Sequence, residues 1–149
     1  TLHTNDAAGA LTRLVDMGVE PFLVASSLVM IVAQRLCRKI CLHCREEVPI
    51  PAEVIERLKY KIPKGTKFFH GRGCEACRNT GYRGRIGVTE ILEVDDVVRE
   101  MLLKGESSDA IKDYARQGQG MLTLWEDILE RFIAGETTLE EVYRVTSDS

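Results

Sequence analysis

Two pairs of cysteines constrain the fold of this chain more than any other feature. Each pair has a two-residue spacer, and 29 residues separate Cys41-Leu-His-Cys44 from Cys74-Glu-Ala-Cys77. Such a spacer lets both sulfurs of a pair face one ion, and four thiolates are a ligand set of structural zinc. The spacing therefore predicts one zinc ion in a closed site that stabilises the fold and has no open position for catalysis. The predicted ligands are Cys41, Cys44, Cys74 and Cys77.

Two histidines and a fifth cysteine lie near these pairs. His43 and His70 could each replace a cysteine as a ligand, but His43 sits between Cys41 and Cys44 and would point away from the ion they share. The four-cysteine set is favoured over a mixed set and over four buried thiols without a metal. Cys37 lies where polar and apolar residues alternate, which favours a small buried side chain with a structural role.

Size and composition favour one ordinary core or two small ones. The chain has 149 residues, of which 44 % are hydrophobic and 29 % are charged. The most apolar stretch, Pro21–Ala33, is too short to span a membrane, and no signal-peptide pattern precedes it. Because the cysteine count is odd and the spacing is paired, a reducing compartment is favoured over disulfides. We expect a soluble cytoplasmic protein.

Charge is distributed unevenly along the chain, although the formal net charge is only -3. Residues 1–33 sum to -2, residues 34–92 to +7 and residues 93–149 to -8. This shift predicts separate modules with a boundary near Glu93. Zinc with four thiolates is a formal dianion, so the basic middle segment has a local explanation. Nucleic acid is not required as a partner.

Apolar periodicity and turn residues predict the order of helices and strands. Asn5 or Asp6 can cap a first helix that stops at Gly18, and Glu20-Pro21 starts a second helix. The further predicted elements are a strand from near Ser27 to Ile40, a short helix from Pro51, a short strand over 67–70, a strand over 85–94 and four helices after Asp95.

The last third of the chain has apolar residues at spacings of three and four, which is typical of amphipathic helices. Glycines are predicted to end three of these helices, at Gly105, Gly118 and Gly135. Thr137-Thr-Leu-Glu140 is predicted to be a capping box. Glu140 and Glu141 are predicted to lie on a solvated outer face and to have no catalytic role.

Six segments, in order, carry a resemblance to a known family. They are Thr1–Ala7, Ala33–Leu36, the two cysteine pairs, Gly81–Ile91 and Thr137–Val145. Together they resemble the C-terminal end of the type II secretion and type IV pilus assembly ATPases, often called the GspE/PilB type, in the branch with four zinc-binding cysteines. The resemblance covers essentially the whole chain. Since the chain begins without an initiator Met, we expect it to be part of a longer protein.

The resemblance implies an α/β fold that is rich in helix and has three parts. These parts are the end of a RecA-like P-loop ATPase core over residues 1–40, a zinc-stapled tetracysteine subdomain over 41–93 and an acidic C-terminal helical bundle over 94–149. It also implies that the parent protein is an ATPase that uses ATP and Mg²⁺ and couples hydrolysis to pseudopilus or pilus assembly.

His3 is the candidate catalytic residue that the resemblance adds. It matches the family's His box, in which a histidine near the terminal phosphate senses nucleotide state, and an imidazole can donate to a phosphate oxygen. No G-x-x-x-x-G-K-[ST] segment occurs in the chain. We therefore expect this chain alone neither to bind ATP with useful affinity nor to hydrolyse it.

The resemblance also implies partners and a location. We expect the parent to be a homohexamer in the cytoplasm, peripheral to the inner membrane through a membrane platform protein, with no nucleic acid partner. Arg83 and Arg85 follow the second cysteine pair, and they could contact a neighbouring subunit or offset the thiolate charge.

Two other functions remain open from the residues alone. One is a free-standing zinc-ribbon-like binding module for nucleic acid or protein, although the basic segment has few aromatic residues for stacking on bases. The other is a chaperone-like zinc module, because Arg78–Gly84 resembles the glycine-rich zinc repeat of DnaJ-type chaperones. That family repeats the unit four times, whereas this chain has it once.

Overall fold

The structure is a computed structural model that describes residues 2–147. Within that range the chain forms seven α-helices, four β-strands and one short 3₁₀ helix. In chain order they are α1 (Ala7–Asp16), α2 (Pro21–Ser27), β1 (Met30–Ile40), β2 (Arg45–Glu47), α3 (Ala52–Arg57), β3 (Phe69–Gly71), the 3₁₀ helix (Glu75–Cys77), β4 (Tyr82–Glu93), α4 (Asp96–Leu103), α5 (Ser108–Gly118), α6 (Leu124–Ile133) and α7 (Leu139–Thr146). β1 pairs with β4, and β2 pairs with β3.

The N-terminal part confirms the prediction of two short helices followed by a strand. Asp6 caps α1, and its Oδ1 accepts a hydrogen bond of 2.7 Å from the backbone N–H of Gly9. Gly18 has φ of +92° just after α1, a conformation that favours glycine. Pro21 is the first residue of α2, where its missing N–H costs no helical hydrogen bond.

Two strand boundaries differ from the prediction. β4 begins at Tyr82, three residues before the predicted start, and β3 covers 69–71 where 67–70 was expected. Pairing explains the position of β3, because Phe69 lies opposite Glu47 and Gly71 lies opposite Arg45 in an antiparallel register. A short strand has too weak a sequence pattern to fix its ends, and its partner strand sets them.

The four predicted C-terminal helices are confirmed, but the details of their ends are partly wrong. Thr138 is the N-cap of α7 and accepts from the backbone N–H of Glu141, whereas the Thr137 hydroxyl donates to the backbone carbonyl of Arg38 at 2.8 Å. The N-cap of this helix therefore lies one residue later than predicted, and Thr138 rather than Thr137 provides it. Gly118 is still helical, and Gly120, with φ of +69°, follows the end of α5.

Contacts divide the chain into two compact units. Within the described range, unit 1 contains residues 2–34 together with Thr89–Leu124, and unit 2 contains Arg35–Val88 together with residues 125–147. α4 and α5 therefore group with α1 and α2, whereas α6 and α7 group with the cysteine segment. This division is based on contacts between residues. The three parts expected from the sequence, over residues 1–40, 41–93 and 94–149, concern function and remain a prediction.

Unit 1 has a conventional apolar core. α1 contacts α2 and α5, and α2 contacts α4. Each fully buried leucine or isoleucine contributes about 1.5–3 kcal/mol relative to an exposed one. The buried residues of this cluster are Ala7, Ala8, Leu11, Val24, Ala25, Leu92, Val94, Val98, Leu102, Ile111, Ala115 and Met121. No helix within residues 2–147 combines the length and apolar character that a membrane crossing requires.

Unit 2 combines an aromatic contact with a close approach of two backbone segments. The rings of Phe68 and Phe132 stack with centroids 4.7 Å apart. Gly71 and Gly81 meet so closely that a Cβ on Gly71 would lie 2.1 Å from the carbonyl oxygen of Gly81. Only glycine allows this approach, which brings the loop after β3 beside the start of β4.

Candidate metal centre

Short elements of unit 2 carry the four paired cysteines. Cys41 directly follows β1, and its backbone N–H donates to the carbonyl of Gly81 at 2.9 Å. Cys44 closes the following turn, with its N–H donating to the Cys41 carbonyl at 3.3 Å. Cys74 precedes the 3₁₀ helix and Cys77 ends it. Each pair thus lies in a tight turn that directs both sulfurs to the same side.

The four sulfurs lie together with the dimensions of a tetrahedral metal site. The Sγ atoms of the four cysteines all lie within 4.8 Å of one another. Three of the distances, Cys41 to Cys74, Cys44 to Cys77 and Cys74 to Cys77, are 3.8 Å. A regular tetrahedron with metal–sulfur bonds of about 2.3 Å has edges of about 3.8 Å. This cluster could hold a metal ion such as zinc.

The Cys77 sulfur is surrounded by hydrogen-bond donors. Burial alone would raise the pKa of the Cys77 thiol, but the backbone N–H groups of Cys74 and Gly81 donate to its sulfur at 3.2 and 3.3 Å. Hydrogen bonds to the charged form favour that form, and they lower the pKa of Cys77 to about 6. These donors favour the thiolate, which is the form that a metal ligand must have.

The environment of Cys44 raises the pKa of its thiol, in contrast to that of Cys77. Burial and the hydrogen bonds of the neighbouring thiols raise the pKa of Cys44 to about 12. Four thiolates crowded at these distances repel one another, and a divalent cation at the centre of the cluster would relieve that repulsion. The donor set and its electrostatics therefore fit a metal with a preference for sulfur.

The other residues considered as ligands lie elsewhere. His43 Nε2 is 3.3 Å from Arg83 Nη1, and His70 Nε2 is 2.7 Å from a carboxylate oxygen of Glu46. Cys37 is fully buried outside the cluster, and burial raises the pKa of its thiol. Among the described residues, the metal-ligand cluster consists of the four paired cysteines only.

His3 lies apart from this centre in sequence and belongs to unit 1. It is exposed and precedes α1, whose N-cap Asp6 lies three residues further along the chain. The structure fixes the start of that helix and leaves the imidazole accessible to solvent. The role of His3 in nucleotide sensing stays a prediction from the resemblance.

One prediction about acidic residues is wrong. Glu140 is exposed, as expected, but the side chain of Glu141 has no exposed surface. Its carboxylate accepts hydrogen bonds from Arg38 and Arg144 at 2.7–2.8 Å. Burial opposes ionisation, yet these donors lower the pKa of Glu141 to about 2. Sequence reasoning missed the pairing because Arg38 and Glu141 are 103 residues apart.

A second buried carboxylate lies in unit 1. Glu90 is 1 % exposed, and its two oxygens accept from the backbone N–H groups of Ala7 at 2.9 Å and Leu124 at 3.3 Å. Lys112 Nζ lies 3.8 Å from Glu90 and 2.7 Å from Asp6. The sequence contained a signal for this burial, because Glu90 shares the alternating face of β4 that buries Val88 and Leu92.

A solved structure has a similar mixed helix and strand fold. The Legionella pneumophila ATPase DotB matches over 100 % of this chain and 31 % of its own, with a TM-score of 0.55 and 16 % sequence identity. At that identity the match concerns the fold. The class defined by fold and site is thus a mixed α/β fold, similar to that of DotB, with a cluster of four cysteines.

Sequence comparison gives the family. The pattern of the family described as "Type II/IV secretion system protein" matches residues 1–144, which is nearly the entire chain. This chain belongs to that family. The resemblance carried by the six sequence segments is thereby confirmed.

Several relatives have names that refer to type II secretion or type IV pilus assembly. The chain is 47 % identical to "Type IV pilus assembly ATPase PilB" of Thermus thermophilus over 95 % of its own length and 16 % of that protein's. It is 46 % identical to "Type II secretion system protein E" of Dickeya dadantii, over 99 % of this chain and 29 % of that one. It is 45 % identical to "Type II secretion system protein HxcR" of Pseudomonas aeruginosa, over 100 % and 28 %. The chain spans less than a third of each of these relatives.

Proposed function

We propose that this chain is the C-terminal part of an ATPase that powers type II protein secretion or type IV pilus assembly. The family match over residues 1–144 carries the proposal, because it includes both cysteine pairs and the segment around His3. The name of the relative at 47 % identity, a type IV pilus assembly ATPase, supports ATP hydrolysis as the activity of the longer protein. Family membership also favours this function over a free-standing zinc-ribbon-like module.

In this proposal the four cysteines hold a structural zinc ion. Zinc supplies the positive charge that lets all four sulfurs ionise in a buried site. With four sulfur ligands it has no open coordination position, so it activates no water. Its role is to hold the loops around Cys41 and Cys77 together, so that unit 2 keeps one conformation while the longer protein hydrolyses ATP.

His3 is the residue that we assign to nucleotide sensing. Its exposure in unit 1 leaves the imidazole accessible to a phosphate, and Glu90 and Asp6 fix the start of the helix that follows it. An imidazole N–H donates to a phosphate oxygen only while that phosphate is present, so it can report the nucleotide state. ATP and Mg²⁺ would bind to parts of the longer protein.

The wider setting follows from the family. We propose that residues 1–40 complete a RecA-like core, that residues 41–93 form the zinc subdomain and that residues 94–149 form a helical module. The longer protein would act as a cytoplasmic homohexamer against a platform protein of the inner membrane. Nucleic acid has no part in this mechanism.

ATP hydrolysis by the longer protein tests the proposal directly. We expect His3→Ala to lower kcat about a hundredfold, as the loss of one donor to a reacting phosphate does, with a small effect on KM. His70→Ala is the matched control, because His70 lies in unit 2, where it is hydrogen-bonded to Glu46. This variant should keep full activity. A longer protein without ATP turnover would refute the proposed ATPase activity. Equal rates for wild type and His3→Ala would refute the proposed role of His3. The present chain alone should show no turnover.

A further inference from the structure

Three charged side chains of unit 1 surround the start of α1. Asp6 is the N-cap of α1, Glu90 lies on β4 and Lys112 lies on α5. Lys112 Nζ is 2.7 Å from Asp6 Oδ2 and 3.8 Å from Glu90 Oε2. Because all three side chains are largely buried, water and salt screen these attractions less than they screen surface ion pairs. One lysine therefore links two carboxylates from different elements.

Each oxygen of the Asp6 carboxylate has its own partner. Oδ1 accepts from the backbone N–H of Gly9 at 2.7 Å, and Oδ2 accepts from Lys112 Nζ. A Cβ on Gly9 would lie 2.8 Å from Oδ1, so the missing side chain leaves room for this cap. The cap and the ion pair can be separated by substitution, because Asp6→Asn keeps an oxygen for the cap but removes the charge that attracts Lys112.

Glu90 holds the next residue of the chain. Its Oε1 accepts from the backbone N–H of Ala7 at 2.9 Å, and its Oε2 accepts from that of Leu124 at 3.3 Å. Ala7 is the first residue of α1, where a negative charge also interacts favourably with the helix dipole. Two consecutive residues, Asp6 and Ala7, are thus anchored to α5 and β4. They set the direction of the segment that precedes α1.

Lys112 keeps its positive charge in this environment. Burial alone would lower the pKa of Lys112, but the hydrogen bond to Asp6 and the charges of Glu90 and Asp6 raise it above its ordinary value. Loss of the lysine would leave two carboxylates without their shared cation. Their repulsion would then favour movement of Asp6, which is the less buried of the two. The anchor at Asp6 therefore depends on Lys112.

The anchored residues lie close to His3 along the chain. His3 is exposed, and Asp6 lies three residues further on. Three residues of extended chain span at most about 11 Å, so a displacement of Asp6 changes the volume that the imidazole can reach. We propose that Lys112 is a positioning residue for His3, which it places through Asp6 and Glu90. This inference rests on the proposed nucleotide sensing by His3, and Lys112 itself contacts no nucleotide in this mechanism.

ATP hydrolysis by the longer protein tests this role. We expect Lys112→Gln to lower kcat about tenfold with little change in KM, because it disturbs the placement of a group that acts on the phosphate and leaves nucleotide binding intact. Asp6→Asn should lower kcat similarly while preserving the helix cap, so it provides a second test if Lys112→Gln reduces stability. Lys112→Arg should restore most of the rate, since it keeps a cation near both carboxylates. Lys104→Gln is the matched control, because Lys104 forms an exposed ion pair with Glu100 of α4.

A double-mutant cycle with His3→Ala separates positioning from a general loss of structure. If Lys112 acts through His3, Lys112→Gln should lower kcat no further in the His3→Ala background. Hydrogen exchange measured by mass spectrometry gives a second readout that does not depend on turnover. Amides of residues 4–9 should exchange faster in Lys112→Gln than in Lys104→Gln, while those of α2 keep the same protection in both variants.

Each outcome supports or overturns the inference. A fall in kcat that disappears in the His3→Ala background, together with faster exchange at the start of α1, supports it. The inference is wrong if Lys112→Gln keeps the wild-type kcat, if it lowers kcat by the same factor with and without His3, or if Lys104→Gln has an equal effect. In those cases a large effect of His3→Ala would leave the proposed sensing role intact. An absence of turnover in wild type, or equal rates for wild type and His3→Ala, would overturn the proposed function of His3 and the inference with it.

Discussion

The two compact units differ in what accompanies their apolar burial. Unit 1 buries twelve apolar residues in one cluster around four helices. Unit 2 also buries apolar side chains, among them Ile40, Leu129 and Phe132. Its segment 41–81, however, contains the cysteine cluster, two very short paired strands and a 3₁₀ helix, and long stretches of that segment lack regular hydrogen-bonded structure. Hydrophobic burial can account for the order of unit 1, whereas the loops of unit 2 need an additional link.

Each unit also has one fully buried glutamate, and the two residues have different partners. Glu90 in unit 1 accepts from two backbone N–H groups, which joins Ala7 to Leu124 within that unit. Glu141 in unit 2 binds two arginine side chains and the Arg38 backbone N–H. A buried carboxylate can thus join either backbone N–H groups or cationic side chains.

Metal removal should give the largest difference between the units. A structural zinc ion contributes roughly 10–16 kcal/mol of apparent binding free energy in zinc-finger peptides. A chelator of zinc should therefore release the amides of residues 41–81 to fast hydrogen exchange, while those of α1 keep their protection. Exchange measured by mass spectrometry on the longer protein follows both regions at once. Equal loss of protection in α1 would contradict the separate stabilisation of the units.

The buried carboxylate of unit 2 should give the next largest effect. Glu141→Gln removes the charge that compensates two guanidinium groups, and the free energy of unfolding should fall by about 3–5 kcal/mol. Glu140→Gln is the matched control, because the neighbouring glutamate is exposed. Denaturant titration of both variants compares them. If the two variants have equal free energies of unfolding, the pairing of Glu141 with the two arginines makes no net contribution to stability.

The same carboxylate predicts a pH dependence of stability. The folded pKa of Glu141 is about 2 and its ordinary value is 4.5, so its contribution is fully present above pH 4.5 and is lost as the pH falls towards 2. The difference corresponds to about 3 kcal/mol. Acid titration should therefore destabilise wild type more than Glu141→Gln between these values, and parallel curves would contradict the assignment.

The close approach of Gly71 and Gly81 should give a smaller effect that is still confined to unit 2. A Cβ on Gly81 would lie 2.3 Å from the Gly71 carbonyl oxygen, and φ there is +77°. Gly81→Ala should cost about 2–3 kcal/mol of unfolding free energy and lower the affinity for zinc. Gly65→Ala is the control, since Gly65 has φ of +81° but open space around it. If both variants lose the same stability, backbone strain alone accounts for the cost.

Glu90→Gln should give the smallest effect and act in unit 1. The amide oxygen can still accept from Ala7, but the amide nitrogen would face the N–H of Leu124, and the attraction to Lys112 is lost. We expect a loss of about 1–2 kcal/mol, with faster exchange at the start of α1. Glu93→Gln, an exposed position on the same strand, should change neither quantity. Faster exchange confined to unit 2 would contradict this assignment.

Local patterns made much of this fold predictable from the sequence. The cap at Asp6, the proline that starts α2 and the apolar spacing of the last four helices each depend on residues close together in the chain. The two C-x-x-C spacers likewise predicted the grouping of the four sulfurs. Such features are encoded within a few residues, so reading them needs no knowledge of the tertiary structure.

Long-range pairing made the rest unpredictable. Glu140 and Glu141 look alike in sequence, and only the approach of Arg38 from β1 decides that Glu141 is buried. The division of the four last helices between two units likewise depends on what each helix packs against. Glu90 could have been found, because strand alternation places it between Val88 and Leu92 on the buried face.

The central claim is that four cysteines bind one zinc ion that stabilises unit 2. X-ray absorption at the zinc edge, together with metal analysis of the purified longer protein, tests it most directly. We predict one zinc ion at the cluster in each chain, with four sulfur neighbours at about 2.3 Å, and no zinc there when Cys77 is replaced by serine. Cys37→Ser should leave both results unchanged. A folded protein without metal and with reactive thiols, or a site with nitrogen ligands, would contradict the claim.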